Sequence, residues 1–107
     1  MGYNISMNTL RRTEQFLLWY SELKDIAAKA RIAARLKYAT QGNLGDHKGV
    51  GCGVMEMRIH VGPGYRLYYA QAGSTIYVLL LGGSKRTQGA DIKEAQALWE
   101  KLQEGSK

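Results

Sequence analysis

Arg58 and His60 stand two residues apart before a Gly62-Pro63-Gly64 turn, and Arg66 and Tyr68 stand two apart after it. On an extended strand that spacing puts both members of a pair on one face. If the hairpin register sets the two pairs on the same side, one open sheet face carries two arginines, a histidine, a tyrosine and Glu56. Such a face suits RNA, because guanidinium groups fork onto phosphate oxygens and a tyrosine stacks on an unpaired base. The competing reading is a solvated sheet face with ordinary cross-strand pairs. Lys85 and Arg86 add a second basic element within Gly82-Gly83-Ser84-Lys85-Arg86-Thr87-Gln88, where the two glycines allow close backbone approach and the bases reach back over the sheet. The glycine–lysine spacing is not that of a phosphate-binding P-loop. Strand cations of this kind fit RNA cleavage without a metal: a ribose 2′-hydroxyl attacks its own phosphate once a base takes its proton and cations hold the growing charge. No metal site is expected, since His47 and His60 have no further ligand at metal-binding spacing. No Ser-His-Asp or paired-carboxylate set stands out, and Cys52 is the single cysteine.

The elements that must position these residues follow from periodicity. Tyr3, Ile5 and Met7 alternate with Asn4, Ser6 and Asn8, which predicts a first strand near residues 3 to 11. Thr13 caps a helix whose stripe is Phe16, Trp19, Tyr20 and Leu23. Asp25 caps a second helix that runs to about Gln41 and is closed by Gly42. This second helix carries two stripes, Ala28-Ile32-Leu36-Ala39 and Ala27-Ala30-Ala34-Tyr38, and the alanines of the latter would let the first helix approach closely. Five glycines between Gly42 and Gly53 predict a loop. Strands are expected over Val54–Val61, Tyr65–Gln71 and Thr75–Leu81, the last apolar enough to be covered on both faces. After a Gly82-Gly83 break, a final helix over about Ala90–Glu104 shows Ile92, Ala95, Trp99 and Leu102 on one stripe. The expected fold is α+β in the order β-α-α-β-β-β-α, a helical hairpin packed on a small, mainly antiparallel sheet, as one domain over residues 1–107.

Charge points to a polyanionic partner. Residues 26 to 90 hold nine bases against two acids, whereas the whole chain of 107 residues is +6. A field of this kind draws polyanions, although solubility alone would also account for a net charge of this size. No apolar run approaches the roughly 18 residues of a membrane helix. The N-terminus has neither the basic start nor the apolar block of a signal peptide. With one cysteine there is no disulfide framework, so a cytoplasmic protein is expected.

Three stretches carry a family likeness. Glu56-Met57-Arg58-Ile59, Gly62-Pro63-Gly64-Tyr65-Arg66-Leu67-Tyr68-Tyr69 and Gly82-Gly83-Ser84-Lys85-Arg86-Thr87-Gln88 resemble the addiction-module killer proteins, the HigB-like group of the RelE/ParE toxin superfamily. Arg11-Arg12-Thr13-Glu14-Gln15-Phe16 and Gln88-x-x-Asp91-Ile92 also match that group, and the likeness runs from about Met7 to Leu102. It implies a RelE-like fold and the toxin of a type II toxin–antitoxin system, an endoribonuclease (mRNA interferase) that cleaves mRNA on the ribosome and inhibits translation. Neither metal nor cofactor is implied. The alternative is the ParE branch, whose members inhibit DNA gyrase and are not nucleases. A cognate antitoxin of helix-turn-helix type is the implied protein partner.

Carried onto this sequence, Arg66 matches the arginine that holds the scissile phosphate, Arg58 a basic position of the preceding strand, and Lys85 the recurrent lysine after the last strand. Tyr68 matches a stacking or acid–base position, and Arg86, His60 and Lys48 are assigned to RNA binding. Several relatives use a histidine or tyrosine near the end of the last strand, or a glutamate before the second. Here those places hold Lys85, Arg86 and the glycine-rich loop, so Glu56, His60 and Tyr68 stand as three alternatives for the general base.

Overall fold

The computed structural model describes residues 8–105. Thr13 makes the first junction. Its hydroxyl accepts the Phe16 N–H at 3.0 Å and donates to the Leu80 carbonyl at 2.6 Å. One side chain thus ends β1 (Thr9–Arg12), starts α1 (Glu14–Glu22) and ties both to the sheet. Residues 3 to 7 of the expected first strand lie outside the described residues. After the short link Leu23–Asp25, the Asp25 carboxylate accepts the Ala28 N–H at 3.0 Å and opens α2 (Ile26–Thr40). Gly42, at φ 94°, closes α2 as expected.

The chain then builds β2 (His47–Gly51), β3 (Val54–Ile59), β4 (Tyr65–Gly73) and β5 (Ile76–Ser84), and ends in a 3-10 turn over Lys85–Thr87 and α3 (Gln88–Gly105). The result is an α+β fold with three helices and one five-stranded sheet in the order β1-β5-β4-β3-β2. β1 runs parallel to β5, and the other pairings are antiparallel.

Three features differ from the sequence expectation. The glycine-rich stretch contains β2, an edge strand paired with β3, where a loop was expected. Cys52 and Gly53 form its two-residue turn with φ values of 55° and 80°, the doubly left-handed pattern that matches the twist of a hairpin. The Gly82-Gly83 pair does not break the last strand, since Gly82 pairs with Leu67 and Gly83 with Arg66. The glycines are needed instead for what lies over them. A Cβ on Gly82 would run into the Trp19 ring, and one on Gly83 into the Asp91 carboxylate. Finally, the stripe Ala27, Ala30, Ala34 and Tyr38 is exposed and does not receive α1. The two helices meet instead through Tyr20, whose hydroxyl donates to the Lys29 carbonyl at 3.1 Å while the Lys29 ammonium lies 5.0 Å from its ring centre.

Two cores fill the two faces of the sheet. On one, Phe16 of α1 and Ile32, Leu36 and Ala39 of α2 pack on Met57, Ile59, Leu67, Tyr69 and Leu79. On the other, Ala95 and Trp99 of α3 pack on Val54, Tyr68, Ala70, Leu80 and Leu81. A bulge in β5 divides the consecutive leucines between them: Tyr69 pairs with Leu79 and Tyr68 with Leu81, leaving Leu80 as the extra residue. Of the expected α3 stripe, Leu102 is the member that is exposed.

Candidate nucleic-acid interface

The β3–β4 register decides which polar side chains meet. Arg58 lies opposite Arg66, and Glu56 opposite Tyr68. On the other side of β3, Lys48 lies opposite Glu56. Directly paired residues share a face, so Lys48, Glu56, Arg58, Arg66 and Tyr68 all belong to the face that α3 covers. The expected gathering is present, but α3 divides it. Toward the middle of the sheet the helix buries Tyr68 and Glu56 completely. Beyond the start of α3, Lys48, His60, Lys85 and Arg86 are exposed, and Arg58 and Arg66 are partly so.

The buried part is a tight polar knot. One Glu56 carboxylate oxygen accepts the Gln88 side-chain N–H at 2.8 Å and the Tyr68 hydroxyl at 3.3 Å. Arg66 Nε approaches the same oxygen at 3.5 Å, close enough for an ion pair but not aligned for a hydrogen bond. Arg66 Nη1 donates to the Gly64 carbonyl at 3.2 Å, and its side chain is only 11% exposed. Burial first, and the Glu56 carboxylate second, push the Tyr68 hydroxyl well above the ordinary phenol range. Tyr68 therefore does not reach the surface where a base would stack, which corrects the stacking and acid–base role expected of it. Complete burial likewise removes Glu56 from the alternatives for the base, since it cannot touch a substrate.

The open part is organised by Asp46, which nothing in the spacing of the glycine-rich segment marks out. One Asp46 oxygen accepts Arg58 Nη2 at 2.8 Å, and the other lies 2.6 Å from His60 Nε2. These bonds, His60's before Arg58's, hold the Asp46 carboxyl below its usual range. Arg35 of α2 fixes the backbone underneath. Its Nη1 donates to the Arg58 carbonyl at 2.6 Å, and its Nη2 to the carbonyls of Leu44 and Asp46 at 3.1 and 3.3 Å. Gly45, at φ 66°, leaves the space that this guanidinium occupies. Only the pairing of a helix with a distant loop reveals Arg35 and Asp46, and periodicity carries no such signal.

Lys85 joins through its backbone: its N–H donates to the Gly64 carbonyl at 2.7 Å, beside the Arg66 guanidinium that also bonds Gly64. Among the described residues, no three His, Cys, Asp or Glu side chains gather as metal ligands, and no helix is long and apolar enough to cross a membrane.

The arrangement is a cationic ledge, Lys48, Arg58, Arg66, Lys85 and Arg86, with His60 at its edge and two acids beside it: Asp46, bonded to Arg58 and His60, and Asp91, which lies over Gly83 and bonds Thr87. No family model matches the chain. A protein of Haemophilus influenzae described as "Uncharacterized protein" is 44% identical over 93 residues, spanning 87% of this chain and 94% of its own length. This chain belongs to one family with that Haemophilus influenzae protein.

Proposed function

We propose that the chain is the toxin of a type II toxin–antitoxin pair, a cytoplasmic RelE-like endoribonuclease that cleaves mRNA on the ribosome and stops translation. The observation that carries this reading is the β3–β4 register, which sets the partly exposed Arg58 against the largely buried Arg66, beside exposed Lys85 at the margin of α3. Guanidinium and ammonium groups so arranged suit a phosphodiester whose charge grows during in-line attack. The sequence motifs that resemble the killer proteins fall on these same elements, β3, β4 and the turn into α3. Neutralisation requires a partner to cover the ledge, and a helix-turn-helix antitoxin with an acidic segment has the complementary charge. The exposed face of α2, Ala27-Ala30-Ala34-Tyr38 with Arg31 among them, offers that partner a second surface.

The test is induction in growing cells, following amino-acid incorporation, transcript 5′ ends and plasmid supercoiling together. Incorporation should stop first, with new transcript ends inside reading frames. Intact transcripts with lost supercoiling would assign the chain to the gyrase-inhibiting branch instead.

A further inference from the structure

We propose that His60 is the general base of the cleavage reaction, with Asp46 as the residue that positions it. The inference rests on the RNA-cleaving reading above and extends it to the proton transfer. Of the three alternatives for the base, Glu56 and Tyr68 are fully buried. The His60 side chain is 74% exposed and stands on the open ledge. Its Nε2 lies 2.6 Å from the second oxygen of Asp46, and the first oxygen is held by Arg58. Asp46 is itself fixed from behind: its carbonyl accepts the Arg58 N–H at 2.9 Å and Arg35 Nη2 at 3.3 Å.

The tautomer follows from the bonding. An ionised carboxylate only accepts, so a neutral imidazole bonded through Nε2 carries its proton there and leaves the Nδ1 lone pair free. An imidazole bonded to the same carboxylate as a guanidinium juxtaposes a proton acceptor with a phosphate-binding cation.

The step balances without a metal. Nδ1 takes the 2′-hydroxyl proton as the 2′-oxygen forms a bond to the adjacent phosphorus. The bond from phosphorus to the 5′-oxygen breaks, and that oxygen takes a proton from water. The products are a 2′,3′-cyclic phosphate and a 5′-hydroxyl end, and the imidazolium returns its proton to solvent. Asp46 supports the imidazolium charge and keeps the tautomer, without accepting the proton itself.

The test is single-turnover cleavage of mRNA on programmed ribosomes by the full-length wild type, His60→Gln, His60→Ala and Asp46→Asn, over a range of protein concentrations. His60→Gln should lower the maximal rate by about 100-fold or more, the scale of general-base catalysis, with the half-saturating concentration nearly unchanged. Asp46→Asn should fall between wild type and His60→Gln. Added imidazole should restore part of the rate of His60→Ala, and a merely structural role for the ring would not respond to it. The high exposure of His60 means that neither of its variants disturbs a core. A wild type that cuts while His60→Gln cuts equally fast overturns the assignment of the base and leaves the RNA-cleaving reading standing. A loss confined to the half-saturating concentration makes His60 a binding residue and also overturns it. A wild type that leaves the mRNA whole overturns both.

Discussion

Arg66 is held by two demands at once. Its guanidinium lies on the ledge proposed to bind phosphate, yet it is also the cationic partner of a carboxylate with no exposure to water. Removing one partner of such a pair leaves the other charge buried and costs about 3–5 kcal/mol, whereas replacing both by neutral groups of similar size is often tolerated. Arg66→Ala is therefore expected to lower stability by about that amount, so its loss of activity alone says nothing about phosphate binding. Arg66→Met combined with Glu56→Gln should recover most of the stability and none of the cleavage. Urea unfolding and the ribosome assay, run side by side, check this, and a double variant that still cuts mRNA would remove Arg66 from the site. Tyr69 poses a simpler case on the opposite face. Its hydroxyl is buried with no hydrogen-bond partner, and burial pushes it up to about 12 from an ordinary value of 10.0. The folded state thus favours the neutral phenol more than the unfolded chain does. The resulting contribution to stability is complete below about pH 10 and is lost as pH rises toward 12. Tyr69→Phe should be neutral or stabilising by up to about 1 kcal/mol at pH 7. It should also flatten the alkaline fall in melting temperature, and an unchanged slope above pH 10 would refute the attribution.

Gly82 and Gly83 show how one dipeptide serves two faces of an element. The Trp19 ring lies on Gly82 and the Asp91 carboxylate on Gly83. An indole wedged between α1 and β5 has nowhere to go, while a carboxylate at the tip of a flexible side chain can swing aside. Gly82→Ala is therefore expected to cost more than Gly83→Ala, within the roughly 1–3 kcal/mol of overpacked sites. Thermal unfolding of the two variants checks the order, and equal losses would mean that β5 absorbs the strain through its backbone. The sequence showed two glycines in a row and suggested an interruption, because glycine patterns do not reveal what packs against them. The β2 edge strand is not legible in the sequence for a related reason. His47-Lys48-Gly49-Val50-Gly51 has almost no apolar alternation, and the edge is secured from outside itself, by Gln96 donating to the Val50 carbonyl at 2.9 Å and by Trp99 lying against Gly53. Where the pattern was amphipathic the elements were legible: the Thr13 and Asp25 caps, the Phe16 and Ile32-Leu36 stripes and the alternation of β3 all lie where they were expected. The sequence left the β3–β4 register open, and the structure sets Arg58 opposite Arg66. What α3 does to that face, burying Tyr68 and Glu56 while leaving the arginines at its edge, depends on helix placement, which no local spacing specifies.

Across the whole molecule the bases are not equivalent. The ledge bases Lys48, Arg58, Arg66, Lys85 and Arg86 belong to β2, β3, β4 and the turn after β5, while the exposed pair Arg11 and Arg12 belongs to β1, at the far edge of the order β1-β5-β4-β3-β2. The molecule measures 45 × 39 × 23 Å along its principal axes. At physiological ionic strength charges are screened over about 8 Å, so bases on the far edge add little to the field at the ledge. If the ledge is where RNA lies, the salt dependence of binding should count its bases and ignore the others. For single-stranded RNA each neutralised phosphate contributes a slope of about −0.7 in log affinity against log salt. The five ledge bases then give a slope of about −3.5. Lys85→Gln with Arg86→Gln should make that slope shallower by about 1.4, whereas Arg11→Gln with Arg12→Gln should leave it unchanged. Neither pair is buried or placed in a core, so both double variants keep the fold and only the slope discriminates. Fluorescence anisotropy titrations of a short labelled RNA at several salt concentrations read it directly. Should the β1 pair flatten the slope as much as the Lys85–Arg86 pair does, the RNA path crosses the other end of the sheet and the ledge is not the binding face.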